Sequence, residues 1–204
     1  MVRQIVLKAV LVVALAAPLA AGASETTDRM HENLGDEAHV GVSLMGGITD
    51  FTGKPGSNTS VGPSWGVNAD ALVSNLYGLE VGYEGSKNPL HDSRVTADNQ
   101  SVWRQGAYGF GKVGPEISHF RPFAGAGLQG TFVNVTNGAR PFYKNDLMWE
   151  VPVGAGVEYN VANVKVGVRG TWRWLFFDEW ANGQSDAENT GGILGGQLTA
   201  GGTF

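Results

Sequence analysis

Seven ionised residues in this 204-residue chain sit on segments that otherwise alternate large apolar side chains with small ones: Glu80, Glu84, Glu150, Glu158, Lys165, Arg169 and Arg173. Within each segment they share the parity opposite to the apolar residues, so in a strand they share one face. Carboxylates and cationic groups confined together must pair or be hydrated, because an isolated charge taken out of water is very costly. Two chemistries are open to such a set. It can gate a narrow ion path, or it can form a plug of ion pairs that holds the surrounding strands together. Arg169 is expected to pair with a carboxylate on a neighbouring strand, with Glu158 the best candidate.

Hydrolytic chemistry has less to build on. The histidines are His31, His39, His91 and His119. Ser118 precedes His119, but adjacent residues of a strand point to opposite faces, so no nucleophile–base pair is expected there. The triplet His91-Asp92-Ser93 lies in a polar connection, and loops are poor scaffolds for precise catalysis. No catalytic residue is assigned. The chain has no cysteine, no paired-histidine metal spacing, no calcium-loop spacing and no phosphate-cradling glycine motif, so neither a metal nor a cofactor is expected. A different chemistry is offered by Phe176, Phe177 and Trp180, flanked by Asp178 and Glu179. These rings either form a contact patch in a loop or rest on a neighbouring hairpin.

The elements that must position these residues are strands. Period-two alternation predicts them at about 38–48, 62–73, 76–85, 101–113, 120–133, 147–160, 164–176 and 191–204. In the seventh, Val164, Val166, Val168, Trp172 and Trp174 oppose Lys165, Arg169 and Arg173. The fourth is the least clear, because Trp103 falls on one parity and Tyr108 and Phe110 on the other. A bulge would reconcile them. Connections after the second and sixth segments are tight and that after the fourth is moderate. Those after the odd-numbered segments are long and rich in Gly, Asn, Asp, Ser and Pro.

An antiparallel up-and-down barrel of eight strands follows from this pattern. The faces decide what surrounds it. A soluble barrel keeps its apolar face inside. Here the apolar faces are rows of Val, Ala, Leu and aromatics, and the polar faces mix Glu and Arg with glycine. That suits a polar lumen inside and lipid outside. Trp65, Tyr83, Phe132, Trp149 and Trp172 fall toward the long-loop ends; Tyr77, Phe120, Tyr159 and Phe204 fall toward the short-turn ends. Two such girdles are what a bilayer selects. Short turns on one side and long loops on the other fit an outer-membrane barrel with both termini periplasmic.

The start of the chain supplies an address. Residues 1–23 read as a secretory signal, with Arg3 and Lys8 around an apolar run and Ala21-Gly22-Ala23 as the cleavage site. Residues 24–37 read as a flexible, acidic periplasmic lead-in, and residues 38–204 as the barrel. The net charge is −5, and −7 once Arg3 and Lys8 leave with the signal. That argues against nucleic acid as a partner. The 31 glycines are about twice the usual share. With no collagen period, they point to a tightly curved sheet.

The segment Arg121-Pro122-Phe123-Ala124-Gly125-Ala126-Gly127-Leu128 resembles the fifth strand of small OmpA-like barrels. Val153-Gly154-Ala155-Gly156-Val157-Glu158-Tyr159 and Asn163-Val164-Lys165-Val166-Gly167-Val168-Arg169 are similar to their sixth and seventh strands. The final Phe204 resembles the aromatic end by which the barrel assembly machinery recognises its clients. The resemblance implies an eight-stranded barrel inserted from the periplasm, among outer-membrane lipid and lipopolysaccharide. It does not bring OmpA's peptidoglycan-binding domain, whose counterpart would follow the barrel. The expected role is non-enzymatic, in envelope integrity or in surface contact with an unknown ligand through the outer loops. The alternatives are a narrow channel for small solutes and a lipid A-modifying hydrolase.

Overall fold

The computed structural model describes residues 40–93, 95, 99–139, 145–176 and 191–203. The proposed signal and lead-in, and the terminal Phe204, lie outside them. Eight strands follow in order: β1 (Val40–Phe51), β2 (Gly62–Leu72), β3 (Tyr77–Pro89), β4 (Ser101–Val113), β5 (Phe120–Val135), β6 (Asp146–Val161), β7 (Val164–Phe176) and β8 (Gly192–Thr203). A short helix, α1 (Gly53–Ser57), follows β1. Each strand pairs antiparallel with the next, and β8 pairs with β1, so the sheet closes without an edge. Closure leaves no unpaired strand edge, as a hydrocarbon surrounding demands.

The short connections are tight for identifiable reasons. After β2, the Ser74 hydroxyl accepts from the backbone N–H groups of Leu76 and Tyr77 at 3.3 and 3.1 Å. Between β6 and β7, Val161 pairs directly with Val164, and Ala162 turns the chain with φ 49°. At the other end β1, β3 and β5 run to Phe51, Pro89 and Val135, past the Ile48, Gly85 and Val133 limits read from polarity. The added lengths of β1 and β5 bring Phe51 and Val135 into an apolar cap, where they are buried with Val102, Val133, Met148 and Ile193, while that of β3 turns Ser86 and Asn88 inward, hydrogen-bonded to each other at 3.2 Å.

Alternation sets two unlike faces. Leu44, Leu128 and Leu198 are 69%, 63% and 67% exposed, whereas Arg169 and Glu150 are 4% and 0% exposed. Greasy side chains point out and ionised ones point in. The outward rings gather near the two ends. Phe120 and Tyr159 pair across β5 and β6 with centroids 4.7 Å apart at the short-turn end. Trp65 and Trp103 meet edge to face at 5.9 Å at the long-loop end.

The bulge expected in the fourth strand does not form. β4 runs in unbroken register with β3, from Tyr77↔Val113 to Pro89↔Ser101, and with β5. Trp103 faces out, and Tyr108 and Phe110 face in, where they are buried with Met45 and Phe123. Glycine makes the room. A Cβ on Gly82, directly opposite Tyr108, would lie 2.7 Å from the Tyr108 ring, and one on Gly125 would lie 2.5 Å from Phe110. Inward glycines therefore serve ring packing as well as curvature.

Candidate functional site

The inner face carries the charges, and β3 and β7 supply its central rungs. Halfway round an eight-stranded barrel, these two strands face each other across the lumen. Glu80 Oε1 accepts from Arg169 Nη1 at 2.6 Å and from the Tyr108 hydroxyl at 2.6 Å. Four residues on along both strands, Glu84 Oε2 accepts from Arg173 Nη2 at 2.8 Å. Gln129 and Gln197 also donate to Glu84, at 3.1 and 3.3 Å.

β4 and β6 supply a second pair of rungs. Arg104 grips Glu150, its Nη2 lying 2.7 Å from each carboxylate oxygen. Charge-assisted contacts of this multidentate kind are the strong ones. Eight residues on, Lys112 Nζ donates to Glu158 Oε1 at 2.8 Å and lies 3.0 Å from Glu80 Oε2. Near the short-turn end Lys165 pairs with Asp70.

The geometry corrects the pairing expected for Arg169. Its carboxylate is Glu80, across the lumen, and Glu158 belongs to Lys112. In register, Arg169 lies opposite Gly156 and Glu158 opposite Gly167. The Phe123 ring occupies the space over Gly156, 2.9 Å from where a Cβ would sit. The guanidinium lies instead over the Tyr108 and Phe110 rings, 5.9 and 5.5 Å from their centroids.

Four ionised residues join the seven singled out from sequence: Asp70, Arg104, Lys112 and Arg121, all buried. Arg104 and Lys112 share the parity of Tyr108 and Phe110. Reading those rings as lipid-facing hid both cations. Arg121 is the most loosely paired of them. Its Nε donates to the Gly114 carbonyl at 3.2 Å, but its Nη1 and Nη2 have no hydrogen-bond partner. The Glu158 carboxylate beside it stands 4.0 Å away and is already held by Lys112.

The charged zone is closely packed, its ionised side chains all buried. Two cavities in the charged zone measure about 10 Å³ each, one lined in part by Glu80, Glu158, Lys165 and Arg169, the other by Glu84, Tyr108 and Arg173. Each has room for about one water molecule.

The histidines behave differently from expectation at one place. Ser118 takes a left-handed conformation, φ 60°, in the turn before β5, so strand alternation does not apply to it. Its hydroxyl lies 3.1 Å from His119 Nδ1. In the other arrangement, the backbone N–H of His91 donates to the Asn58 carbonyl at 2.9 Å and Asp92 is buried. Among the described residues no group of three or more His, Asp or Glu converges as a metal site. Phe176 is exposed at the end of β7; Phe177 and Trp180 lie outside the described residues.

The sequence matches the family model described as outer membrane protein beta-barrel domain over residues 9–196. No curated protein matches the sequence. Among solved structures, Neisserial surface protein A is similar at 15% identity, with 80% of this chain and 95% of that one covered and a TM-score of 0.51. The attachment invasion locus protein Ail of Yersinia pestis, solved with the heparin analogue sucrose octasulfate, is similar at 11% identity, with coverage of 82% and 99% and a TM-score of 0.51. The N-terminal barrel domain of Pseudomonas aeruginosa OprF aligns at 14% identity over 80% of this chain and 97% of that one, with a TM-score of 0.46.

Proposed function

We propose, from the premise that this chain belongs to the outer membrane protein beta-barrel domain family, that it is a closed, non-enzymatic surface barrel of the bacterial outer membrane. Both termini face the periplasm and the long loops face outward. In this reading the barrel serves envelope integrity and makes surface contacts through those loops, with Phe176 at the root of one of them. Its expected neighbours are outer-membrane lipid and lipopolysaccharide, with the barrel assembly machinery acting through the terminal Phe204.

The filled lumen is the observation that carries this reading. Cross-lumen rungs with aromatic rings packed among them lie beneath an apolar cap, and the two cavities of about 10 Å³ hold about a single water each. That supports a plug over a solute path. Planar-bilayer recordings test it: the pure protein is expected to give no sustained conductance, and large, stable pores would contradict the plug.

The Ser118–His119 contact is the specific feature behind a hydrolase reading. Under the proposed orientation it lies at the periplasmic end, away from the outer leaflet where lipid A would be met. Among the described residues no carboxylate holds the other ring nitrogen in place, as a working triad requires. Incubation with lipopolysaccharide is expected to release no fatty acid. Release that disappears in Ser118→Ala would replace the structural reading with an enzymatic one.

A further inference from the structure

The lipid-facing parity of the eight strands is almost free of charge. Among the described residues only Asp50 and Lys87 break it. Lys87 is exposed and sits at the long-loop end of β3, directly opposite Trp103 of β4. Its ammonium lies 5.1 Å from the Trp103 ring centroid, within cation–π range. Trp103 meets Trp65 of β2 edge to face. Trp65 reaches that position by lying over Gly85, where a Cβ would stand 2.9 Å from the indole nitrogen. On the next outward position down β3, the Tyr83 hydroxyl donates to the Gln105 amide oxygen at 3.1 Å.

An isolated lysine near a bilayer surface is ordinarily an anchor that reaches toward water. Lys87 is held differently. One side of its ammonium rests on an indole that is itself fixed by a second indole, and no carboxylate pairs with it among the described residues. The neighbouring Trp65 and Trp103 each carry an indole N–H donor, and Gln105, two residues along β4 from Trp103, has its amide oxygen taken by Tyr83 and its amide nitrogen as a further donor. A cation and several N–H donors without an acid between them complement an anion with many acceptors. Flat rings beside them suit the faces of a sugar. The height on the barrel, within the aromatic girdle, is where lipid headgroups lie.

We propose that this patch on β2, β3 and β4 is a binding site for a phosphorylated glycolipid, with Lys87 on the phosphate and Trp65, Trp103 and Gln105 on the sugar. The choice of a glycolipid over a phospholipid rests on the reading that the long loops face outward, so that this end meets the outer leaflet. The site adds a defined contact to that general reading: one lipid held at one place on the girdle.

The test is lipid binding by the intact barrel in detergent, read by native mass spectrometry with lipid A, phosphatidylglycerol and phosphatidylethanolamine as probes. The wild type is expected to hold one lipid A in preference to either phospholipid. Lys87→Ala should weaken lipid A binding roughly tenfold or more, the usual scale for a lost hydrogen bond to a charged group. Lys87→Arg should keep it, because a guanidinium also grips phosphate. Lys87 touches nothing in the lumen, so both variants should show the wild-type gel shift between unboiled and boiled samples. Unchanged lipid A binding in Lys87→Ala would overturn the site. Equal binding of phosphatidylglycerol would overturn the glycolipid assignment. Protease access to the loops of whole cells is a separate measurement, and it tests the orientation alone.

Discussion

Glu80→Gln separates a plugged lumen from a hydrated one by magnitude. Glu80 is 3% exposed and accepts from Arg169 and Tyr108 while lying 3.0 Å from Lys112. The substitution keeps the shape and removes the charge. Lys112 retains Glu158, but Arg169 loses its paired carboxylate and keeps only neutral acceptors, the Gln197 amide oxygen at 3.0 Å and the Met45 sulfur at 3.1 Å among them. Removing one partner of a buried pair costs about 3–5 kcal/mol, because the other charge is left uncompensated. An equilibrium constant therefore falls roughly 150- to 5,000-fold. In an open, water-filled path the same pair would be screened and would contribute about 0–1 kcal/mol. The assay is reversible urea unfolding in short-chain lipid vesicles, followed by tryptophan emission. Arg169→Gln and the double variant complete a cycle that isolates the coupling between the two residues. A loss below about 1 kcal/mol for Glu80→Gln, with no coupling, would refute the dry-plug argument.

Two further substitutions probe the same molecule from other sides. Arg121→Met removes a buried cation whose Nη1 and Nη2 have no hydrogen-bond partner and whose ion pair with Glu158 is long, at 4.0 Å, so stability should hold or rise by up to about 1–4 kcal/mol in the same titration; a clear loss would mean that this long pair and the bond to the Gly114 carbonyl outweigh the cost of burying the charge. Leu198→Arg tests the outward face. Leu198 lies level with Gly46 and Val168, between the two girdles, where an arginine costs about 2–4 kcal/mol in a bilayer, and a neutral result would mean that this face does not meet lipid.

The sequence made the faces legible where alternation was strict. Val164, Val166 and Val168 against Lys165 and Arg169 left one way to orient β7, and β5, β6 and β8 followed the same rule. It failed where a residue's type and its environment disagree. Tyr108 and Phe110 look like lipid-facing rings, yet they pack inside over Gly82 and Gly125. Accepting that parity would have made the bulge unnecessary and revealed Arg104 and Lys112. Ser118 was hidden for a different reason: its left-handed backbone is a property of the turn, and alternation carries no information there. The partner of Arg169 was the hardest to read. Glu80 is 89 residues away and becomes its neighbour only when the sheet closes and brings β3 opposite β7. Adjacency along the sheet, the rule used to choose Glu158, takes no account of contacts across a narrow lumen.

Closure also explains why the ion pairs repeat as they do. The lipid face cannot fix the register. A slip of one residue would turn every charge into hydrocarbon, but a slip of two leaves Val, Ala and Leu outward as before. Even slips must therefore be excluded from the inside. β3 and β7 run in the same direction, and so do β4 and β6. Glu80–Arg169 and Glu84–Arg173 are the same rung displaced by four residues on both strands. Arg104–Glu150 and Lys112–Glu158 are likewise one rung displaced by eight. A two-residue slip of either strand in a pair breaks both of its rungs at once and leaves charges buried without partners. A buried ion pair adds little net stability over an apolar one, but it is costly to mismatch. The lumen charges thus select one closed register among several that the bilayer would accept equally.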